Sequence, residues 1–255
     1  MLFLLHINDL PDCVSSRVRL FADDCLLYHP IYETSDQLAL QKDLDTLALW
    51  CDCWCMSFNA AKCEVMRISR KRAFLQKLYT INGQALQEVN KATYLAVIIS
   101  NDLQWSGHVS TITKNANHTL GFLRQNLKNA PPKLKETAYF SLVRSVIEYI
   151  ATVWDPHLCK DRNALEMVQL RAARNVKNDH RQTSSVTQML KDLGWESLAD
   201  RRRDLRLILL YKIVNHLAAV TVDILTPADP VLVQITHTSS GTLEKIQQYS
   251  GTHSL

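Results

Sequence analysis

Two adjacent carboxylates, Asp23 and Asp24, follow Phe21-Ala22 and sit between two short apolar runs. Like charges that close along the backbone repel each other, and a divalent cation held by their oxygens removes the cost. Two Mg²⁺ ions on such oxygens support nucleotidyl transfer, one activating an attacking hydroxyl and the other holding the departing pyrophosphate. Neighbouring side chains on a strand point to opposite faces, so Asp23 is the expected ligand and Asp24 its partner. An Asp-Asp dipeptide is equally at home in a solvated turn, so the pair alone leaves both readings open.

The other residues that could do chemistry are thiols and cations. Cys51, Cys53, Cys55 and Cys63 are four potential zinc ligands, but their spacing departs from the two-residue knuckle of zinc sites, and free thiols are expected. An odd total of seven cysteines, without a basic lead before the apolar Met1 to Ile7 run, points to a reducing, intracellular setting. The longest later apolar run, Leu205 to Val214, is broken by Arg206 and Lys212 and is too short for a membrane span, so no membrane association is expected. The net charge of +4 hides a segregation: residues 1–60 hold 3 Lys/Arg against 9 Asp/Glu, and residues 61–135 hold 12 against 3. An acidic reaction centre beside a surface for a polyanion has this distribution, and so does a domain whose charges merely cluster.

The elements that must position these groups follow from periodicity. Val18, Leu20 and Ala22 alternate, Cys25 to Tyr28 forms a second apolar run, and together they predict a β-hairpin with Asp23-Asp24 at its tip. From Asp36 to about Trp54, Leu40, Leu44, Leu47, Cys51 and Trp54 recur at helical spacing, with Ser35 or Asp36 as the expected cap. Short strands are predicted at Cys63 to Ile68, Leu78 to Ile81 before an Asn82-Gly83 turn, and Tyr94 to Ile99, the first two flanking the basic Arg70-Lys71-Arg72. Beyond Leu103 the pattern is helical: Trp105 to Leu127, Lys133 to Tyr149, Arg162 to Val176, Ser185 to Leu193 and Ser197 to Leu217. After Val220 the chain thins into Thr, Ser, Gln and Gly, and a loosely ordered tail is expected.

An ordered series of segments carries a resemblance. Leu2-Phe3-Leu4-Leu5-His6-Ile7-Asn8-Asp9-Leu10-Pro11 is followed by Leu20-Phe21-Ala22-Asp23-Asp24, and then by Leu40-Gln41-Lys42-Asp43-Leu44. Trp50 and Trp54 then lead to Met56-Ser57-Phe58-Asn59 and Lys62-Cys63. Tyr94-Leu95-Ala96-Val97, Arg144 to Tyr149, Val153-Trp154-Asp155-Pro156 and Gln169 to Arg174 complete the series. In this order they resemble the reverse transcriptase of non-LTR (LINE-type) retrotransposons, especially the jockey-like lineages, over roughly residues 1–230.

The resemblance implies an α+β fold: a partial polymerase palm (β-hairpin, helix, small antiparallel sheet) over residues 1–103, a helical thumb-like region over 104–220 and a tail over 221–255. It implies Mg²⁺ as cofactor, RNA template and DNA primer as partners, and catalytic, metal-binding roles for Asp23 and Asp24. Phe21 would lie near the primer end, Lys62 near the nucleotide phosphates, and Tyr94, Leu95, Ala96 and Val97 on the primer backbone. Arg171, Arg174, Lys177 and Arg181, with Arg201, Arg202 and Arg203, would meet nucleic-acid phosphates rather than bases. Where relatives carry Gly, this chain has Ala96. The family's first catalytic Asp and its finger region are expected to precede Leu2, leaving a fragment of an RNA-directed DNA polymerase that is inactive alone. The alternatives are a non-enzymatic nucleic-acid-binding remnant and a relic that forms no stable protein.

Overall fold

The computed structural model describes residues 7–69, 77–179, 181, 185–218 and 220, with two short strands at 232–235 and 246–249. The Met1 to His6 part of the opening run, the Arg70-Lys71-Arg72 cluster and the rest of the tail lie outside the described residues. The chain divides into two units, Met1–Leu198 and Ala199–Leu255. The architecture is mixed α+β: short strands occupy residues 17–100, and every regular element between Ser106 and Val214 is helical.

In the first unit, β1 (Arg17–Phe21) and β2 (Asp24–Tyr28) pair antiparallel with Phe21 opposite Asp24 and Val18 opposite Leu27. Alternation puts Val18, Leu20, Cys25 and Leu27 on the inner face, where they pack with Leu10, Leu47, Trp50 and Cys51. The last three belong to α1 (Thr34–Cys53). Its cap is Glu33 rather than Ser35 or Asp36, because Glu33 and Asp36 form a reciprocal capping box in which Asp36 accepts from the Glu33 amide at 2.9 Å. The apolar stripe also ends differently: Trp50 is buried and Trp54 is exposed, since the helix stops at Cys53 and Trp54 turns out of register.

Asp43 of α1 ties the helix to the hairpin. Its carboxylate, buried within the fold, accepts from the amides of Ser15 and Ser16 at 3.1 and 2.7 Å and from both serine hydroxyls. Burial opposes its charge, yet the hydrogen bonds from Ser16 and Ser15 prevail and hold the carboxyl below its ordinary range.

The other side of α1 packs on a second small cluster formed by Ala48, Tyr79, Ile81 and Leu86. Gln41 clamps the strand there, donating to the Thr80 carbonyl at 2.9 Å while accepting from the Thr80 amide at 3.0 Å, as a neighbouring strand would. That strand, β4 (Thr80–Ile81), turns into β5 (Gln84–Ala85) through Asn82-Gly83, both left-handed, which is the type I′ requirement the sequence announced.

The strand region is not one antiparallel sheet. It consists of separate two-stranded ladders, one of them the parallel pairing of β3 (Glu64–Val65) with β6 (Gln87–Glu88). The expected strand at Tyr94 to Ile99 is instead a second hairpin: β7 (Lys91–Tyr94) and β8 (Val97–Ser100), because Leu95 and Ala96 adopt φ of 47° and 63° and reverse the chain.

The helices that follow bury one stripe each. In α2 (Ser106–Asn126), Val109, Ile112, Ala116, Leu120 and Leu123 recur at three- and four-residue spacing. They face Leu165, Val168, Ala172, Ala173 and Val176 of α6 (Cys159–Lys177), and the small Ala116, Ala172 and Ala173 permit close approach. Between them, the expected Lys133 to Tyr149 helix is α3 (Pro132–Tyr139), a wider π-helical turn at Phe140–Arg144 and α4 (Ser145–Glu148). That turn keeps Tyr139, Val143 and Ile147 all in the core. Ile150, left-handed at φ 50°, separates α4 from α5 (Ala151–Trp154).

Buried Gln169 is satisfied by the Tyr139 hydroxyl, which donates to it at 3.1 Å, and by its own donation to the Glu196 carbonyl at 2.8 Å. The amphipathic α7 (Val186–Leu193) is capped by Ser185, which accepts from the Gln188 amide, and ends at left-handed Gly194. Helix α8 (Leu198–Val214) begins at the boundary between the units. The second unit also contains β9 (Leu232–Ile235) and β10 (Ile246–Tyr249), which pair antiparallel. Among the described residues no helix is long and apolar enough to cross a membrane.

Candidate functional site

A two-residue turn places the carboxylates. Because Phe21 pairs with Asp24, the hairpin tip is Ala22-Asp23, with Asp23 in the turn and Asp24 opening β2. Ala22 takes a left-handed φ of 52°, a conformation that costs an L residue roughly 1–2 kcal/mol and that glycine adopts freely. Both carboxylates are exposed, and neither is in an ion pair among the described residues. Their oxygens are hard donors suited to Mg²⁺. Among the described residues no third His, Cys, Asp or Glu joins them to complete a group of three.

The hairpin's outer face is open. Arg17, Arg19 and Phe21 on β1 stand across from Tyr28, Leu26 and Asp24 on β2, and Phe21 remains 60% exposed. Aromatic and apolar side chains on an uncovered strand face, flanked by arginines and a carboxylate, form a surface that can stack on a ring and hold an anion at once.

Tyr94 belongs to the same neighbourhood. Burial pushes its hydroxyl pKa up, and the negative charge of Asp24 pushes it further, with Arg19 acting in the opposite sense. Tyr94 therefore stays neutral and keeps its proton as a hydrogen-bond donor beside the carboxylate hairpin. Tyr94 and Val97 face each other across the Leu95-Ala96 turn. Val97 is buried in the helical core, and the Ile98 amide donates to Nδ1 of His108 at 3.3 Å. His108 is itself buried, packs edge-on against Trp154 at 5.0 Å, and has its pKa lowered by burial. Through Val97 and His108, the β7–β8 turn is fixed to α2 and α5.

The remaining expected contacts are scattered. Lys62 ends a 3₁₀ turn at Ala60–Lys62, exposed and without a side-chain partner among the described residues. Lys177 pairs with Asp192 at 3.3 Å, and Arg181 with Asp179 at 3.0 Å. Arg203 pairs with Asp200 and Asp204, while Arg202 is only 1% exposed and Arg201 is half-buried. Consecutive helical positions point about 100° apart, so the Arg201 to Arg203 run does not make one face. Arg171 and Arg174 remain, lining a groove between α2 and α6 with Arg124.

Three contributors were not singled out from sequence. Asp43 lay within a quoted segment without a role, although Ser15-Ser16 at the entry of a predicted strand offered it donors. His108 lies near the start of the predicted Trp105 to Leu127 helix and was given no role. Arg124 shares a face with Asn117 and Gly121 at i, i+4 and i+7 spacing, and that regularity was legible. Against protein-family models, curated proteins and solved structures, the chain has no match.

Proposed function

We propose that this chain is the later palm and the thumb of an RNA-directed DNA polymerase of the non-LTR retrotransposon class, with Mg²⁺ as cofactor and an RNA template and DNA primer as partners. The observation that supports it best is the two-residue turn that presents Asp23 and Asp24, both exposed, at the tip of the β1–β2 hairpin with Phe21 opposite Asp24.

In this reading Asp23, in the turn, and Asp24, at the first position of β2, would hold Mg²⁺, which when bound would supply activation of the primer hydroxyl and stabilisation of the leaving pyrophosphate. Phe21, across from Asp24, offers its exposed ring to the primer end. Tyr94, paired with Val97 across the Leu95-Ala96 turn, would donate to the primer backbone. Lys62 neutralises nucleotide phosphates. Arg171 and Arg174 hold the product duplex by its backbone, without reading sequence.

Among the described residues no third carboxylate joins Asp23 and Asp24, so residues 1–255 alone should not extend a primer on an RNA template in Mg²⁺ or Mn²⁺. Fusion to a palm segment carrying a third carboxylate should restore extension, and Asp23→Ala should abolish it again. Extension by residues 1–255, or extension by the fusion that survives Asp23→Ala, contradicts the assignment.

A second reading, a nucleic-acid-binding protein without catalysis, is favoured by the exposed arginines of the α2–α6 groove. It predicts duplex binding that weakens steeply with salt and is indifferent to Asp23.

A further inference from the structure

The cations of the helical region differ in one respect. Lys177 and Arg181 are neutralised by Asp192 and Asp179, whereas Arg124, Arg171 and Arg174 have no carboxylate partner among the described residues. These three line one groove of about 280 Å³ between α2 and α6, together with Asn117, Gly121 and Asn175. Among the described residues no acidic side chain lines it.

Its construction is not that of a solvated helix surface. Arg171 is oriented by Asn117, whose Oδ1 accepts from Nη1 at 2.8 Å across the two helices. Arg174 is half-buried, and its Nε, closed off from solvent, makes no hydrogen bond. A guanidinium partly withdrawn from water without a counter-charge costs free energy that an anion at its open edge would recover.

Gly121 gives an independent indication. It lies within the 21-residue α2 with ordinary helical backbone, where glycine is less favourable than alanine, yet a Cβ built there meets nothing within 4 Å. No neighbour in the fold explains the missing side chain. A side chain there would extend into the open space of the groove that Gly121 lines.

We propose that the α2–α6 groove is a phosphate-binding site, in which Arg124, Arg171 and Arg174 surround one phosphate group and Gly121 lets it approach the α2 backbone. The chemistry is that of a phosphodiester in a nucleic-acid strand and is shared by free pyrophosphate. The polymerase reading bears only on which polymer supplies the phosphate.

The test follows the Arg174 Nε resonance by NMR while pyrophosphate, and separately a short RNA–DNA hybrid, is added to the intact chain. Both should shift it. Gly121→Glu, which puts a carboxylate in the groove, should weaken pyrophosphate and hybrid binding at least about tenfold, the loss of a charge-assisted hydrogen bond. Circular dichroism should show its helix content unchanged. Arg171→Gln provides a second variant of the same expected effect, and each lost phosphate contact should lower the salt dependence of hybrid binding by about one unit of slope. Hybrid binding of wild-type strength in both variants, with a silent Arg174 signal, overturns the site and leaves the polymerase reading intact. Pyrophosphate binding lost in both variants, without any hybrid binding, upholds the site and removes the polymerase reading.

Discussion

At Ala96 the backbone is left-handed, with φ 63°, next to Leu95 at 47°. A two-residue turn of this hand is normally built from Asn-Gly, as at Asn82-Gly83 in the same chain. Ala96→Gly should therefore raise stability by about 1 kcal/mol in urea unfolding, and a decrease would show that the turn does not hold this conformation. His108 supplies a pH dependence. Its neutral ring accepts the Ile98 amide, and burial sets its folded pKa below the ordinary 6.5. The unfolded chain therefore takes up a proton first as pH falls, so stability is full above about pH 6.5 and declines below it. His108→Gln should flatten that decline, and an unaltered slope between pH 7 and 5 would place its origin elsewhere. Neither feature was apparent from residue type: Ala96 was conspicuous only against a resembling family, and histidine near a helix start reads as solvated until its burial is known.

Among the elements, α1 packs on the carboxylate hairpin through Leu47, Trp50 and Cys51 and is hydrogen-bonded to its entry through Asp43. Asp43 accepts hydrogen bonds from the amides and hydroxyls of Ser15 and Ser16, so its loss leaves buried donors unpaired. Asp43→Ala should cost about 3 kcal/mol in denaturant unfolding, with a loss below about 1 kcal/mol contradicting the account. Because the folded pKa of Asp43 is lowered, its contribution is complete above the unfolded value near 4 and disappears as pH falls further. Element type was largely readable. The β1–β2 alternation, the α1 period and the Asn82-Gly83 turn all declare themselves locally, and the structure has them. Tyr94 to Ile99 did not, since Leu-Ala is an unusual pair for a reversal and an apolar run shows no break there. The π-helical turn at Phe140–Arg144 was equally hidden, because one extra residue in a turn shifts the apolar period too little to notice over a short helix.

Across the whole molecule, the two functions proposed for it fall on different elements. Asp23 and Asp24 face open solvent on the first hairpin, and the unpaired arginines lie along α2 and α6. Hybrid affinity should fall steeply with salt while remaining unchanged in Asp23→Asn, because the backbone contacts and the carboxylates are different residues. Salt-independent binding would separate the arginines from any polyanion. Sequence order placed the carboxylates and the helical region correctly in succession, but it could not tell which cations were free. Lys177, Arg181 and Arg203 are consumed by Asp192, Asp179, Asp200 and Asp204, pairings that depend on turns and helix packing rather than on composition.

In the proposed function Asp23 and Asp24 ligate a divalent cation at a primer end. Mn²⁺ added with a primer–template hybrid should broaden the amide resonances of residues 22–25 and 94–97 selectively, and Asp23→Asn with Asp24→Asn should abolish the effect. Signals at both turns that stay sharp in the wild-type chain, or broaden equally in the double variant, would contradict it.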